Sequence, residues 1–281
     1  MHANQSTVFR LFKYTVYALL TLNIFLFFAE EWAAAAHRFA DGILLSDIIE
    51  GFAATIDTAA WVVLLLVFEL ETWVLEDRQL TRRVRWTLQG IRAVCYAIIV
   101  YAFFGYLAKL LFLLRAAPLP GVTELCSLAA SGWVYAVDLD EYVPVLADNC
   151  ANLSAAAGFM RFAGMSAIVD LQGYTEILRL AWVDVINAGV WLGVVAVLEL
   201  DVQLQSRNRL EGWIQRTSNA AKYVMYSILL LAAIYWGVKG DFVDFWDAFL
   251  WLVAFVFIEL NVLDWQAEER EARENAARGA A

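Results

Sequence analysis

A chain of 281 residues, 62% hydrophobic and 18% charged, is too apolar for a water-soluble domain and belongs to the polytopic membrane class. Its formal net charge of −10, with few and unclustered basic residues, argues against nucleic acid as a partner. Two histidines, both outside the apolar runs, exclude bis-histidine haem or a His-based metal site, so no cofactor and no metal are expected.

Six apolar runs are long enough to cross a hydrocarbon core of about 30 Å: 11–29, 55–75, 93–114, 177–200, 223–238 and 245–263. The expected fold class is therefore an all-α polytopic membrane protein with six transmembrane helices. All three prolines (Pro118, Pro120 and Pro144) fall between the third and fourth runs, so the helices should be unbroken. The N-terminus lacks the basic leader and cleavage site of a removed signal, so the first span is expected to stay. Trp32, Trp86, Trp236, Trp246 and Trp265 fit the aromatic belts of a bilayer.

The even-numbered spans share the pattern [DN]-x3-W-x7-E-L-[EDN]. Its copies are Asp57/Trp61/Glu69/Glu71, Asn187/Trp191/Glu199/Asp201 and Asp247/Trp251/Glu259/Asn261. The odd-numbered spans share a base four residues before a tyrosine: Lys13/Tyr17, Arg92/Tyr96 and Lys222/Tyr226. Glu69 to Arg92 and Glu199 to Lys222 are both 23 residues, which supports a common repeat.

The chain then divides into three tandem pseudo-repeated hairpins. Residues 1–77 form the first, with an amphipathic outer segment at 33–52 carrying Leu44, Ile48 and Phe52 opposite Asp47 and Glu50. Residues 78–205 form the second, with a cap of about 60 residues at 116–176 outside the membrane. Residues 206–266 form the third, and 267–281 a charged cytoplasmic tail. The count of three hairpins is that of mitochondrial carriers, but the proline–acid–base signature of their odd helices is absent, and no family is assigned.

Basic residues set the orientation. They crowd the connections at 78–92 and 207–222 and flank both termini, whereas 29–56, 116–176 and 237–247 hold only Arg38, Arg161 and Lys239 against fifteen acids. Both termini are expected in the cytoplasm, of a bacterial inner membrane. Cys126 and Cys150 share the long outer loop and are expected to form a disulfide, while Cys95 in the third span reads as a small buried hydrophobe.

The carboxylates in these spans need partners or a function, because charge inside a bilayer is costly. Lys13–Glu69, Arg92–Glu199 and Lys222–Glu259 match in depth, with Tyr17, Tyr96 and Tyr226 one turn deeper, and Glu69 could equally meet Arg92 across the cytoplasmic connection. Asp57 and Glu69 are separated by about 18 Å and about 120° on a helix, so no straight polar stripe runs down one span. Lys109 either snorkels outward or pairs with Asp57, Asp184 or Asp247. Asp184 and Asn187 make the fourth span the most polar, and water should enter there.

Two functional readings stand. The first is an ion-translocating protein, channel-like or transporter-like, for a cation or proton, with Glu69, Glu199 and Glu259 lining the path. The second is a non-catalytic scaffold or accessory subunit, whose partners would be the lipid bilayer, copies of itself or other membrane subunits. No nucleophile set, phosphate loop or catalytic motif supports an enzyme.

Overall fold

The computed structural model describes residues 7–39, 42–45, 47–71, 75, 81–129, 131–153, 158–206 and 212–255. The chain is mostly helical. Its long helices are α1 (Thr7–Arg38), α3 (Ala53–Glu69), α4 (Arg82–Leu113), α6 (Leu171–Ser206) and α7 (Trp213–Lys239), followed by α8 over 242–255. Short α2 (Ile48–Gly51) precedes α3, and short α5 (Cys150–Leu153) lies in the long connection between α4 and α6.

Among the described residues, four helical segments are long and apolar enough to cross a membrane: Arg10–Arg38, Arg82–Leu113, Leu171–Asp201 and Trp213–Lys239. Large side chains such as Leu11, Phe25, Phe104 and Leu231 stay exposed on them. A surface of this kind is costly in water and matched to lipid, and it fits a membrane protein. The other two expected spans coincide with α3, 17 residues long, and with α8.

The helices overrun the apolar runs because their flanks favour helix and are capped. Arg82, Arg83 and Arg85 extend α4 backward to Thr81, whose hydroxyl accepts the Val84 N–H. Asp170 accepts the Gly173 N–H at 2.6 Å and starts α6 six residues before the apolar run predicts. Gly240, at φ +90°, closes α7 in the left-handed conformation. The 33–52 segment is not one amphipathic helix. Its first part continues α1 to Arg38 and its end forms α2, where Leu44 and Ile48 are exposed while Phe52 is buried. The backbone of α2 lies so close to α4 that a Cβ on Gly105 would come within 2.4 Å of the Ile49 carbonyl oxygen.

The connection between α4 and α6 folds into a small mixed sheet. Its strands are β1 (Ala117–Pro118), β2 (Val134–Ala136), β3 (Tyr142–Pro144), β4 (Phe159–Arg161) and β5 (Ala167–Asp170), in the order β1-β4-β5-β2-β3. Only β2–β5 is parallel; the other three neighbours run antiparallel. One face packs Val134, Ala136, Phe162, Ala167 and Val169 against Leu110, Leu113, Ile177, Ala233 and Trp236 of the helices. The other face buries Leu125, Val145, Phe159 and Ile168 around Cys150.

Cys126 and Cys150 are joined as a disulfide, as their shared loop predicts, and Cys95 is free and buried. Closing a loop with a separation of 24 residues stabilises by about 3 kcal/mol in the chain-entropy account. Cys126→Ser/Cys150→Ser is therefore expected to lower the melting temperature in detergent, with the loss appearing only without reductant. An identical melt for wild type and variant under oxidising conditions would show that the bond contributes nothing.

Candidate functional site

The Trp of each even helix faces the same point. Trp61 of α3 lies 5.9 Å from Trp191 of α6 and 6.0 Å from Trp251 of α8, ring centre to ring centre, and Phe255 packs 4.5 Å from Trp191. With Val16, Leu20, Ile99, Val194 and Leu229, these rings form the central core of the bundle. The shared position in the sequence pattern thus becomes a shared position in space.

One turn toward the sheet end stand the polar partners of the same pattern. Asp57, Asn187 and Asp247, joined by Asp184, Asp244, Thr58 and Tyr106, line one cavity of about 40 Å³ whose floor is the Trp cluster. That volume accommodates roughly three waters. Each of the outer two copies is tied within its own helix: the Trp61 indole bonds Asp57, and the Trp251 indole bonds Asp247, four residues apart in each case. Asp57 also receives the Tyr106 hydroxyl, and Asp247 accepts from Asn23 Nδ2 at 2.8 Å.

Three buried polar atoms at this site have no hydrogen-bond partner among the described residues: Asn187 Oδ1, Asn23 Oδ1 and Trp236 Nε1. Asn23 is 0% and Trp236 3% exposed. Unpaired polar atoms at such depth cost one to a few kcal/mol each unless a ligand or water satisfies them. Trp236 is therefore a chamber residue rather than the belt residue its place near a span end implies.

Near the mouth of the chamber the acids continue. Asp241 accepts the Asp244 N–H at 3.4 Å. Burial lifts the Asp241 carboxyl above its ordinary range. Lys109 is the counter-charge. It is buried and bonds Asp140 of the sheet unit at 2.5 Å, with neither a snorkelling geometry nor Asp57, Asp184 or Asp247 as its direct partner. The reason lies in the fold: the sheet unit lowers its 138–141 turn onto α4, which no local spacing reveals. Burial alone would raise the Asp140 carboxyl, yet Lys109 and Arg38 outweigh it and hold it below the usual range. Glu31 caps α3, accepting Ala54 N–H at 2.8 Å, Thr55 N–H at 3.0 Å and the Thr55 hydroxyl at 2.6 Å.

At the opposite end the bases and acids meet in a different pairing from the one their depth suggests. Lys13 bonds Glu69 at 2.6 Å in a buried pocket, with Tyr14 at 3.0 Å and Tyr17 at 3.4 Å on the same carboxylate. Arg92, however, pairs with Glu71 instead of Glu199, and Lys222 pairs with Asp201 at 3.1 Å. Both bridges span 21 residues across a connection between hairpins. The acid after Glu-Leu sits farther toward the helix end than the Glu itself, so it is nearer to the start of the next helix. Tyr96 donates to Glu199 at 2.9 Å, as Tyr17 does to Glu69. Glu259 lies outside the described residues, as does Asn261.

Of the two inner Glu residues described, Glu69 is sealed, while Glu199 is exposed. The groups that converge are the Asp and Asn at the other end of the pattern. Among the residues missed by sequence reasoning, Asn23 had a signal, an amide within an apolar span. Asp244 lies three before Asp247, on the same helical face. Tyr106 carried none. No protein-family model, curated protein or solved structure matches the chain.

Proposed function

We propose that this is an integral membrane protein of six transmembrane helices, in three tandem pseudo-repeated hairpins, that translocates a cation or proton. The observation that carries the reading is the convergence of Asp57, Asn187 and Asp247 on one small acidic chamber above Trp61, Trp191 and Trp251. Intramembrane acids facing a bundle interior and a cavity mark ion paths more often than packing devices. The equivalent Tyr17–Glu69 and Tyr96–Glu199 contacts, and the equivalent Arg92–Glu71 and Lys222–Asp201 bridges, support the repeat. Both termini would be cytoplasmic in a bacterial inner membrane, and the chamber would face outward beneath a cap made by the sheet unit. The Trp cluster would then be the closed gate of the path.

A membrane scaffold or accessory subunit is the second reading. It draws on the sealed Lys13–Glu69 pair, which serves helix packing and no path. Flux through proteoliposomes separates the two. Wild-type protein should dissipate an imposed membrane potential, and Asp57→Asn/Asp247→Asn should slow this by about tenfold or more, since acidic clefts concentrate counter-ions by that order. Absence of flux in wild type, or equal flux in the correctly folded variant, would leave the scaffold.

A further inference from the structure

The two ends of the chamber differ in chemistry, and the difference points to a class of ligand. At one end stand Asp57 of α3, Asn187 of α6 and Asp247 of α8, with Asp184 and Asp244 beside them. At the other end the indoles of the same three helices meet, Trp61 lying 5.9 Å from Trp191 and 6.0 Å from Trp251. Lys109, the base on α4, is engaged by Asp140 of the sheet unit at 2.5 Å. Carboxylates withdrawn from water are costly unless a cation joins them.

The wall also holds polar groups that the protein leaves unbonded. Trp236 is 3% exposed and lines the chamber, and its Nε1 has no acceptor among the described residues. Asn187 Oδ1 meets no donor there either. Nor does a protein donor among the described residues reach the carboxylate of Asp184, one turn earlier on α6. Groups left bare at this depth are unfavourable. The chamber therefore suits contents that donate to Asp184 and Asn187 and accept from Trp236.

We propose that the chamber binds a primary alkylammonium ion of one or two carbons, its N–H groups toward the Asp57–Asn187–Asp247 end and its alkyl group on the Trp floor. This rests on the ion-path reading only as far as uptake of a cation into the chamber, and involves no step past the Trp rings. A primary ammonium group has three donors spaced evenly round one C–N axis. The chamber presents acceptors from three helices around a common space, closed at one end by rings. Asp184 adds the charge on α6 that the neutral Asn187 lacks.

The indole floor favours the alkyl end in two ways. It covers apolar surface, and ring faces attract the adjacent positive charge. A spherical metal ion draws oxygen ligands from all sides, and one side of this chamber is indole. Size agrees as well. The cavity of about 40 Å³ takes roughly three waters, so methylammonium leaves space for about one water beside it. That water accepts from Trp236 Nε1 and donates to a carboxylate of the wall.

Isothermal titration calorimetry of the full chain in detergent tests this, with ionic strength held by tetraethylammonium, which is too large for the cavity. Methylammonium and ethylammonium should bind saturably, severalfold more tightly than ammonium because each buries alkyl surface. Sodium and potassium should bind about tenfold more weakly than methylammonium, or not at all. Asp184→Asn should weaken methylammonium by about tenfold or more, since it removes a charged acceptor. Asn187→Asp, which places a carboxylate at the third position of the pattern, should tighten it severalfold, a direction that a role in packing alone does not predict. Sodium or potassium binding as tightly as methylammonium would overturn the alkylammonium and keep a cation chamber. Absence of saturable binding by any of these ions to folded wild type would overturn the site, whatever the flux through proteoliposomes. Methylammonium binding without flux would remove the path and leave the site standing.

Discussion

Glu69→Gln is expected to destabilise the helix bundle by about 3–5 kcal/mol, and Lys13→Met by a similar amount. The two side chains are 6% and 2% exposed and meet at 2.6 Å, so each variant strands its partner away from water. In Lys13→Met the carboxylate retains two hydroxyl donors, Tyr14 and Tyr17, and in Glu69→Gln the ammonium, 5.1 Å from the Tyr14 ring, faces an amide dipole in place of a carboxylate. Replacing both, as Lys13→Met/Glu69→Gln, removes the stranded charge altogether and should recover most of the loss, because neutral pairs often match buried ion pairs in stability. Melting in detergent for the four proteins gives the cycle. Additive losses in the double variant would mean that the side chains are not coupled and that the observed contact carries no stability.

That pair also shows where sequence reasoning reached and where it stopped. Depth and spacing paired Lys13 with Glu69 because both lie at one end of adjacent helices within one hairpin. The same rule fails for Arg92 and Lys222, since an acid two residues farther along the preceding helix lies nearer: Glu71 for one, Asp201 for the other. The helix positions were legible from apolar runs, though not their ends, which are set by polar residues such as Thr81 and Asp170 that hydropathy discounts. The repeated Asp-x3-Trp was visible as a pattern, and its use was not. Convergence depends on the rotation of each helix, and hydrophobic surroundings on both sides, lipid and core, erase the periodicity that would have reported it. The cap at 116–176 was legible as a segment but its strands were not, because strands of two to four residues leave no alternation to read.

Lys109→Met should cost about 3–5 kcal/mol at neutral pH and show an altered acid response. Lys109 is 5% exposed, and its ammonium faces Asp140 directly while also offsetting Asp184 and Asp241. In the wild type the Asp140 carboxyl lies below its ordinary value, so its contribution to stability is present above about pH 4 and is lost as the pH falls through the folded value. Without Lys109 the largest downward influence on Asp140 disappears and burial, which raises its pKa, dominates. The sign then reverses: the folded state binds a proton more readily than the unfolded chain, and the variant gains stability as the pH falls from 7 toward about 4. Asp140→Asn provides the contrast, since it strands Lys109 instead, and acid cannot relieve a cation that is already protonated. Melting temperatures of the three proteins between pH 7 and pH 4.5 distinguish these cases. Parallel curves for wild type and Lys109→Met would show that Lys109 does not set the charge state of Asp140, and would leave the sheet unit held to α4 by packing alone.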